Sequence, residues 1–504
     1  MCGSLSATVA ARDGAVFLIS NFFILNSLAI LIDFGSTYTK VIAVDLDRAE
    51  VIGRSQAPSS VLTDVRDGLL QALCSLHERH GIFASAPRDL TILENATVLA
   101  SSSAAGGLKI VVVGNVPGLT VEAANQAALG AGAKLIGSTA FKLSDAKLRE
   151  VEALAPDMIL LTGGTDGGDE ATILHNAGML AAAMRLAVPI VVAGNRAASA
   201  AVAALLQGRG KEVRLAENVM PRTSTVAVEG AREEIRKLFM ERITHAKGLD
   251  ALAGTVPVVL PTPMAVLRGV RLGADGTGVE PGWGDMLVVD VGGATTDVHS
   301  IGYGLPGGES AIVQGLAEPY AKRTVEGDLG IRFNAATIVE RIGLEKLSDE
   351  LRANFKLRID SSALSSYIEQ IGRKTATVPQ RDWHAAADAV LARNAVALAI
   401  ARHVGRRERI VAREGEAWVH YGKDLRETRT LIGIGGIFVH NPNAAYILSP
   451  REQADDRVQT LQPRNPAAYL DASYLLYAVG LLSESRPDVA LPLFKRYITP
   501  IKSS

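Results

Sequence analysis

Cysteine, aromatic residues and net charge are all scarce in this chain. Only Cys2 and Cys74 occur among 504 residues, which excludes a disulfide scaffold and a multi-cysteine zinc site and fits a reducing cytosol. Lys and Arg total 52 against 53 Asp and Glu, a net charge of −1, so the chain as a whole carries no electrostatic footprint for nucleic acid. The histidines show no pair at clear metal-ligand spacing, so zinc is not expected. Aromatics are 5%, whereas hydrophobic residues are 48% and glycines number 48. An Ala/Gly/Val-rich α/β protein of two to four domains has this profile.

Long apolar runs are also rare. Ala15 to Ile32 is the main one, and Ser20, Asn21, Asn26 and Ser27 interrupt it. Alone it reads as a signal-peptide core or a marginal membrane span. Its end, however, is the strand that delivers Asp33, and no A-x-A cleavage pattern precedes Leu28. The expectation is a cytoplasmic protein with no membrane segment, in which residues 1–27 are an irregular or non-native extension.

The chain is organised around Leu28–Val44, LAILIDFGSTYTKVIAV. An apolar run ends on Asp33, a small-residue turn follows (Gly35, Ser36, Thr37, Thr39), and a second apolar run leaves it. This pattern predicts a β-hairpin whose turn aims N–H groups and hydroxyls at one spot. Gly35 permits close backbone approach, and the hydroxyls and Lys40 suit an anion. Asp33 suits a hydrated Mg²⁺, which takes one or two carboxylates plus phosphate oxygens.

The same grammar returns in Met286–Ser300, MLVVDVGGATTDVHS, with Asp290, Gly292, Gly293, Thr295 and Thr296. Two acid-tipped hairpins suggest two pseudo-equivalent lobes serving one nucleotide. In a third segment, Thr430–Asn441, an apolar strand runs into Gly433, Gly435 and Gly436, where side-chain-free backbone can accept a flat purine.

Between the hairpins the period changes. From Leu108 short apolar strands alternate with helical segments to Ala246, the signature of a doubly wound parallel sheet. This predicts a Rossmann-like domain inserted in the first lobe. Its loop Thr162–Gly168, TGGTDGG, is not G-x-G-x-x-G and reads as a structural turn or partner-docking loop, with a second ligand site as the alternative. Asp64 and Asp67 read as caps of a helix over Arg66–Gly81. Ala251–Leu272 reads as strand runs punctuated by prolines. Asn334–Arg402 reads as mainly helical, and the basic run Arg402–Arg409 as a solvated face.

The first motif, Asp33-Phe-Gly-Ser-Thr-Tyr-Thr, resembles the first phosphate motif of the actin, Hsp70 and sugar-kinase ATPase superfamily. Asp290-Val-Gly-Gly-Ala-Thr-Thr-Asp resembles the second, and Gly433-Ile-Gly-Gly the adenosine motif. Within it the chain resembles the MutL/GlmL proteins, accessory to glutamate mutase, an adenosylcobalamin enzyme. Ser101-Ser-Ser-Ala-Ala-Gly-Gly-Leu, Thr162-Gly-Gly-Thr-Asp-Gly-Gly and Arg323-Thr-Val-Glu-Gly-Asp-Leu-Gly carry the narrower match, which runs from Leu28 over nearly the whole chain.

The resemblance implies an α/β fold of two actin-like (ribonuclease H-like) lobes with an inserted Rossmann-like domain. Its limits would be 1–27 extension, 28–105 lobe I, 106–246 insert, and 247–504 the remainder of lobe I and lobe II with a C-terminal helix. It further implies ATP and Mg²⁺ as cofactors and Asp33 and Asp290 at the metal. Glu326 would orient the attacking water, a helix-cap or salt-bridge acid being the other reading. Gly35, Ser36, Thr37, Thr39, Lys40, Gly292, Gly293, Thr295 and Thr296 would lie at the phosphates, and Gly433, Gly435 and Gly436 at adenosine. The implied activity is weak Mg-dependent ATP hydrolysis in a reactivating or assembly chaperone for the mutase. An ATP-dependent small-molecule kinase, a hydantoinase/oxoprolinase-like enzyme and a filament-forming nucleotide binder are the alternatives. Ser36 stands where a Gly or Thr is often seen, and Lys40 lies too near the turn to be assigned to the γ-phosphate. Asp297-Val-His299-Ser-Ile-Gly302 spells a cobalamin-ligand pattern, but it trails out of a phosphate hairpin, where the chain should continue as a strand.

Overall fold

The computed structural model describes residues 27–35, 38–60, 64–103, 108–223, 225–243, 252, 254–306, 312–412, 415–449 and 457–501. The expected extension (up to residue 26), Ser36, Thr37 and the small-residue join at 104–107 lie outside them. The chain divides into two compact units. The first comprises Met1–Gly107, Phe239–Gly269 and Leu476–Phe494, and the second Leu108–Leu238, Val270–Leu475 and Lys495–Ser504.

The first unit is built on one five-stranded sheet. Its strands are β1 (Leu28–Phe34), β2 (Tyr38–Asp45), β3 (Glu50–Pro58), β4 (Thr97–Ser102) and β10 (Val258–Pro261), in the order β10-β4-β1-β2-β3. β2 is antiparallel to β1 and β3, while β4 runs parallel to β1 and to β10. Every residue of β1 is buried, because the strand is central and covered on both faces. Helix Val65–His80 lies over β2 and β3, opened by the Asp64 carboxylate accepting from Arg66 N and closed by Gly81 in the left-handed region.

The expected strands after Ala251 give way to a helix, Thr262–Asp275. Pro263 falls in its first turn, where a missing N–H costs nothing, and Ala265, Val266 and Val270 form its buried stripe. It packs against helix Leu476–Leu482 through two glycines. A Cβ on Gly480 would sit 1.7 Å from Ala265 O, and one on Gly269 2.4 Å from Leu476 O.

The second unit holds three sheets. The first is parallel and contains β5 (Lys109–Val113), β6 (Lys134–Thr139), β7 (Met158–Leu161), β8 (Ile190–Val192) and β9 (Val213–Leu215) in the order β6-β5-β7-β8-β9. That 2-1-3-4-5 order, with helices between strands, is the doubly wound, Rossmann-like arrangement expected from the alternation. In chain order it falls between β4 and β10, so the chain leaves the first sheet, builds the second, and returns.

The next sheet contains β11 (Met286–Val291), β12 (Thr296–Ile301), β14 (Ala321–Glu326), β17 (Thr430–Ile434), β19 (Ala467–Leu470) and β20 (Thr499–Pro500), ordered β14-β12-β11-β17-β19-β20. Without β20 it repeats the first sheet: three antiparallel strands, then two more parallel to the first of them. Both are ribonuclease H-like sheets, so the fold is α/β with two actin-like lobes. Four helices, Ala335–Ile342, Leu344–Phe355, Ser361–Arg373 and Asp382–His403, cover this sheet and share one core with Leu287, Val289 and Val298. Asp382–His403 is long and apolar enough to cross a membrane, but 67% of its apolar window is buried in this core.

A small sheet of β13 (Ile312–Gln314), β15 (Arg406–Ala412), β16 (Gly415–Tyr421) and β18 (Val458–Thr460) completes the unit. The basic run Arg402–Arg409 is thus divided between a helix end and β15. His299 lies in β12, as the strand continuation required, and is buried.

Candidate functional site

Asp33 stands near the carboxyl end of β1, beside Lys40 on β2 and Ser101 on β4. Its carboxylate is buried and engaged: Oδ1 accepts from Thr262 Oγ1 at 2.5 Å and from Ser101 Oγ at 3.2 Å, and Lys40 Nζ lies 3.7 Å from Oδ2. Thr262 is invisible to local sequence reading, because it lies 229 residues away. Only the return of β10 to the sheet brings the next helix's first residue to β1. Thr39 is buried on β2.

Across the turn after Asp33, Gly35 N donates to Tyr38 O at 3.1 Å. The turn after Asp290 closes the same way, with Gly292 N donating to Thr295 O at 2.9 Å. In both, the glycine is second after the acid and the acceptor three residues on. A Cβ at Gly35 would meet Tyr38 O at 2.6 Å, and one at Gly292 would meet Thr295 O at 3.1 Å. The turns are therefore tight enough to favour glycine by approach alone.

Segment Glu326–Asn334 braces the second hairpin. Ile331 N donates to Gly292 O, and Arg332 N and Phe333 N donate to Gly293 O. Asn334 Nδ2 donates to Ala294 O at 2.7 Å. Thr296 is buried and its hydroxyl donates to Leu329 O at 2.7 Å, while Thr295 stays half-buried in the turn. Arg332 reaches on to Asp388 at 2.7 Å, and Tyr367 donates to the same carboxylate at 2.9 Å. Burial pushes the Asp388 carboxyl up, and Arg332 pulls it partly back.

Glu326 ends β14 opposite Thr296. Its carboxylate pairs with Arg402 at 2.5 Å, and Arg402 also holds Asp328 at 2.8 Å. Burial raises the Glu326 carboxyl above its ordinary value, against the lowering by Arg402. Hydrogen bonding from Arg402 holds Asp328 low. Glu326 therefore takes part in a salt bridge, which leaves its orientation fixed.

The three glycines of the third motif meet different surroundings. Gly433 is internal to β17, and a Cβ there would meet Leu448 at 3.0 Å and Phe438 at 3.1 Å, so its bareness serves helix packing. Gly435 has φ +113°, and a Cβ would lie 2.3 Å from Val291 O and 3.3 Å from Asp290 Oδ1. With the pairing of β11 and β17, it brings this motif against the second hairpin. Gly436 opens helix Gly436–His440, and a Cβ there would meet only Tyr474 Oη at 3.4 Å and His440 Cδ2 at 3.9 Å. Tyr474 is a residue the sequence did not single out for the site. It belongs to a turn before helix Leu476–Leu482 and takes φ +53°, a conformation bulky residues rarely adopt.

His299 lies between Val288 and Arg323 on the flanking strands. Burial, and then the Arg323 charge, push its imidazole down to about 3, so it is neutral inside the sheet. Among the described residues no group of three or more His, Cys, Asp or Glu could hold a metal.

A family model described as "MutL protein" matches residues 29–498. The chain is 39% identical over 473 residues to "Protein MutL" of Clostridium tetanomorphum, spanning 94% of this chain and 99% of that one. Solved structures align more loosely. One is the activator of the 2-hydroxyisocaproyl-CoA dehydratase from Clostridium difficile with bound ADPNP, at TM-score 0.32, 9% identity, 94% of this chain and 100% of that chain. Another is xylulose kinase from Bifidobacterium adolescentis, at TM-score 0.30, 11% identity and 95% of each chain.

Proposed function

The chain belongs to the MutL protein family, and from that premise we propose that it is an ATP-binding accessory protein, a reactivating or assembly chaperone, for an adenosylcobalamin-dependent mutase such as glutamate mutase. The observation that carries the ATP reading is the repeat of one device in two sheets of equal order. Each first strand bears an acid near its end, followed by a turn closed by the same glycine N–H to carbonyl bond.

Phosphoryl chemistry asks a protein for positioning and charge neutralisation rather than covalent help. The turn N–H groups and the hydroxyls of Ser36, Thr37 and Thr295 would receive phosphate oxygens. Mg²⁺ would be held by Asp33 and Asp290, directly or through water, and would neutralise charge on those oxygens. Thr262 and Ser101 fix the Asp33 carboxylate so that it need not reorganise. Arg402 fixes Glu326, which would orient water. Gly436 would face adenosine. The domain at 106–246 would read the nucleotide state and pass it to the mutase, a two-state coupling that requires the nucleotide to favour one arrangement.

The test is ATP turnover by the full chain with and without purified glutamate mutase, repeated for Asp33→Asn and Asp290→Asn. Stimulation by mutase, lost in both variants, is expected. Turnover that needs a small metabolite and ignores the mutase would replace this reading with a kinase.

A further inference from the structure

In the parallel sheet, the neighbours β5 and β7 are where strand order reverses, and such sheets offer a crevice outside the carboxyl ends at that point. Three loops emerge there: Gly114–Asn115 after β5, the glycine loop Thr162–Gly168 after β7, and Ala140–Leu143 after β6. Asn115 ties them together. Its carbonyl accepts from Phe141 N at 2.9 Å, its Nδ2 donates to Asp169 Oδ2 at 2.8 Å, and its Cβ lies 3.3 Å from where a Gly163 side chain would begin.

Phe141 is the anomaly. It holds φ +65° while the residue is 63% exposed. A non-glycine residue pays for that backbone conformation, and an exposed ring returns no burial. The loop is nevertheless over-determined. Asn176 Nδ2 donates to Phe141 O at 3.0 Å, and Asn176 Oδ1 accepts from Leu143 N at 2.8 Å. Next to it Val116 and Pro117 are exposed as well. The molecule spends backbone strain to hold an aromatic ring out of its own core.

Charge surrounds this apolar lip. Asp166, Asp169 and Glu170 are exposed along the glycine loop, with Lys142 beside Phe141 and Arg196 on the far rim. Asp166 and Asp169 are built into the loop. Asp166 accepts from Arg196 N at 2.9 Å and from Asn218 at 2.8 Å, and Asp169 accepts from Ala171 N at 3.0 Å. Hydrogen bonds, from Thr172 first, hold the Asp169 carboxyl below its ordinary value, so it stays charged. Three carboxylates disfavour a phosphate or any other anion here, although a glycine loop before a helix would otherwise suggest one.

We propose that this end of the parallel sheet is a protein-docking face: Phe141 is its anchor, and the occupant is a protein surface with an aromatic-sized pocket and basic side chains opposite Asp166–Glu170. Buried aromatic anchors ringed by charge are the usual source of interface energy and of association rate respectively. Naming the mutase as that occupant rests on the function proposed above.

Because the strain and the anchor reside in one residue, they separate on substitution. Phe141→Asn removes the ring and substitutes a residue that tolerates φ > 0. The full-length variant should melt at or above the wild-type temperature and keep its ATP turnover without partner, yet bind purified glutamate mutase roughly tenfold or more weakly. Glu170→Lys, in which the altered carboxylate makes none of the loop-holding bonds above, should slow association and weaken its dependence on salt. Mutase binding that survives both variants unchanged overturns the docking face and leaves the accessory function standing. Failure of wild-type protein to bind the mutase removes both. A fall in melting temperature for Phe141→Asn contradicts the claim that the ring is held out for a partner.

Discussion

Gly435 and Gly436 are adjacent, yet their surroundings differ, and replacing each by alanine separates packing from the proposed adenosine contact. Gly435 has φ +113° and would place its Cβ 2.3 Å from Val291 O. A conformation of that kind costs about 1–3 kcal/mol for an L-residue, and forced overlap in packed surroundings adds about 1–3 kcal/mol. Gly435→Ala should therefore lose about 2–6 kcal/mol of stability and disturb the Asp290 hairpin it touches. Gly436→Ala meets only Tyr474 Oη at 3.4 Å and His440 at 3.9 Å, ordinary contact distances, so folding should be unchanged or slightly favoured. If a purine lies on Gly436, the new methyl displaces it. An intrusion of about 1–3 kcal/mol weakens ATP roughly 5- to 150-fold. Urea unfolding and calorimetric ATP titration on both variants read the two quantities. Wild-type ATP affinity in Gly436→Ala would refute the adenosine assignment, and wild-type stability in Gly435→Ala would refute the packing argument.

Glu326→Gln should retain ATP binding and lose turnover, read as kcat falling with the ATP dissociation constant unchanged; equal turnover would leave Glu326 as a salt-bridge residue only. Arg402→Gln removes the counter-ion of Glu326 and one of the two counter-ions of Asp328, which keeps Arg341 at 2.7 Å. The Glu326 carboxyl, already raised by burial above its ordinary 4.5, rises further, which costs stability at every pH above that unfolded value. Asp328, held below its ordinary 3.8 by Arg402, loses a stabilisation that is present above 3.8 and vanishes as pH falls. Both signs agree, so the deficit of Arg402→Gln in urea unfolding should be largest near neutral pH and shrink as pH drops through about 4. A pH-independent deficit would mean that Arg402 acts by packing.

How much of the site could be read in advance depended on how local each signal was. The hairpins at Asp33 and Asp290 were legible because apolar strand, acid and glycine turn are neighbours in sequence, and the strand–helix alternation of 109–215 was legible because its period is short. The helix Thr262–Asp275 was misread as strand because Pro261 and Pro263 look like breakers until Pro263 is seen in the first turn. Gly433, grouped with its neighbours by spacing alone, turned out to face Leu448 and Phe438.

The sequence alone therefore determined the two acid-tipped hairpins, the alternating insert and the family, since each is written in runs of adjacent residues. Only the tertiary structure decided that Thr262 and Ser101 hold Asp33, that Arg402 holds Glu326, that Tyr474 Oη lies 3.4 Å from where a Gly436 Cβ would begin, and that Phe141 is displayed at a reversal point of strand order. Those relations join residues tens to hundreds of positions apart. They exist only once sheet order has fixed which strand ends are neighbours, and no local propensity or spacing encodes that order.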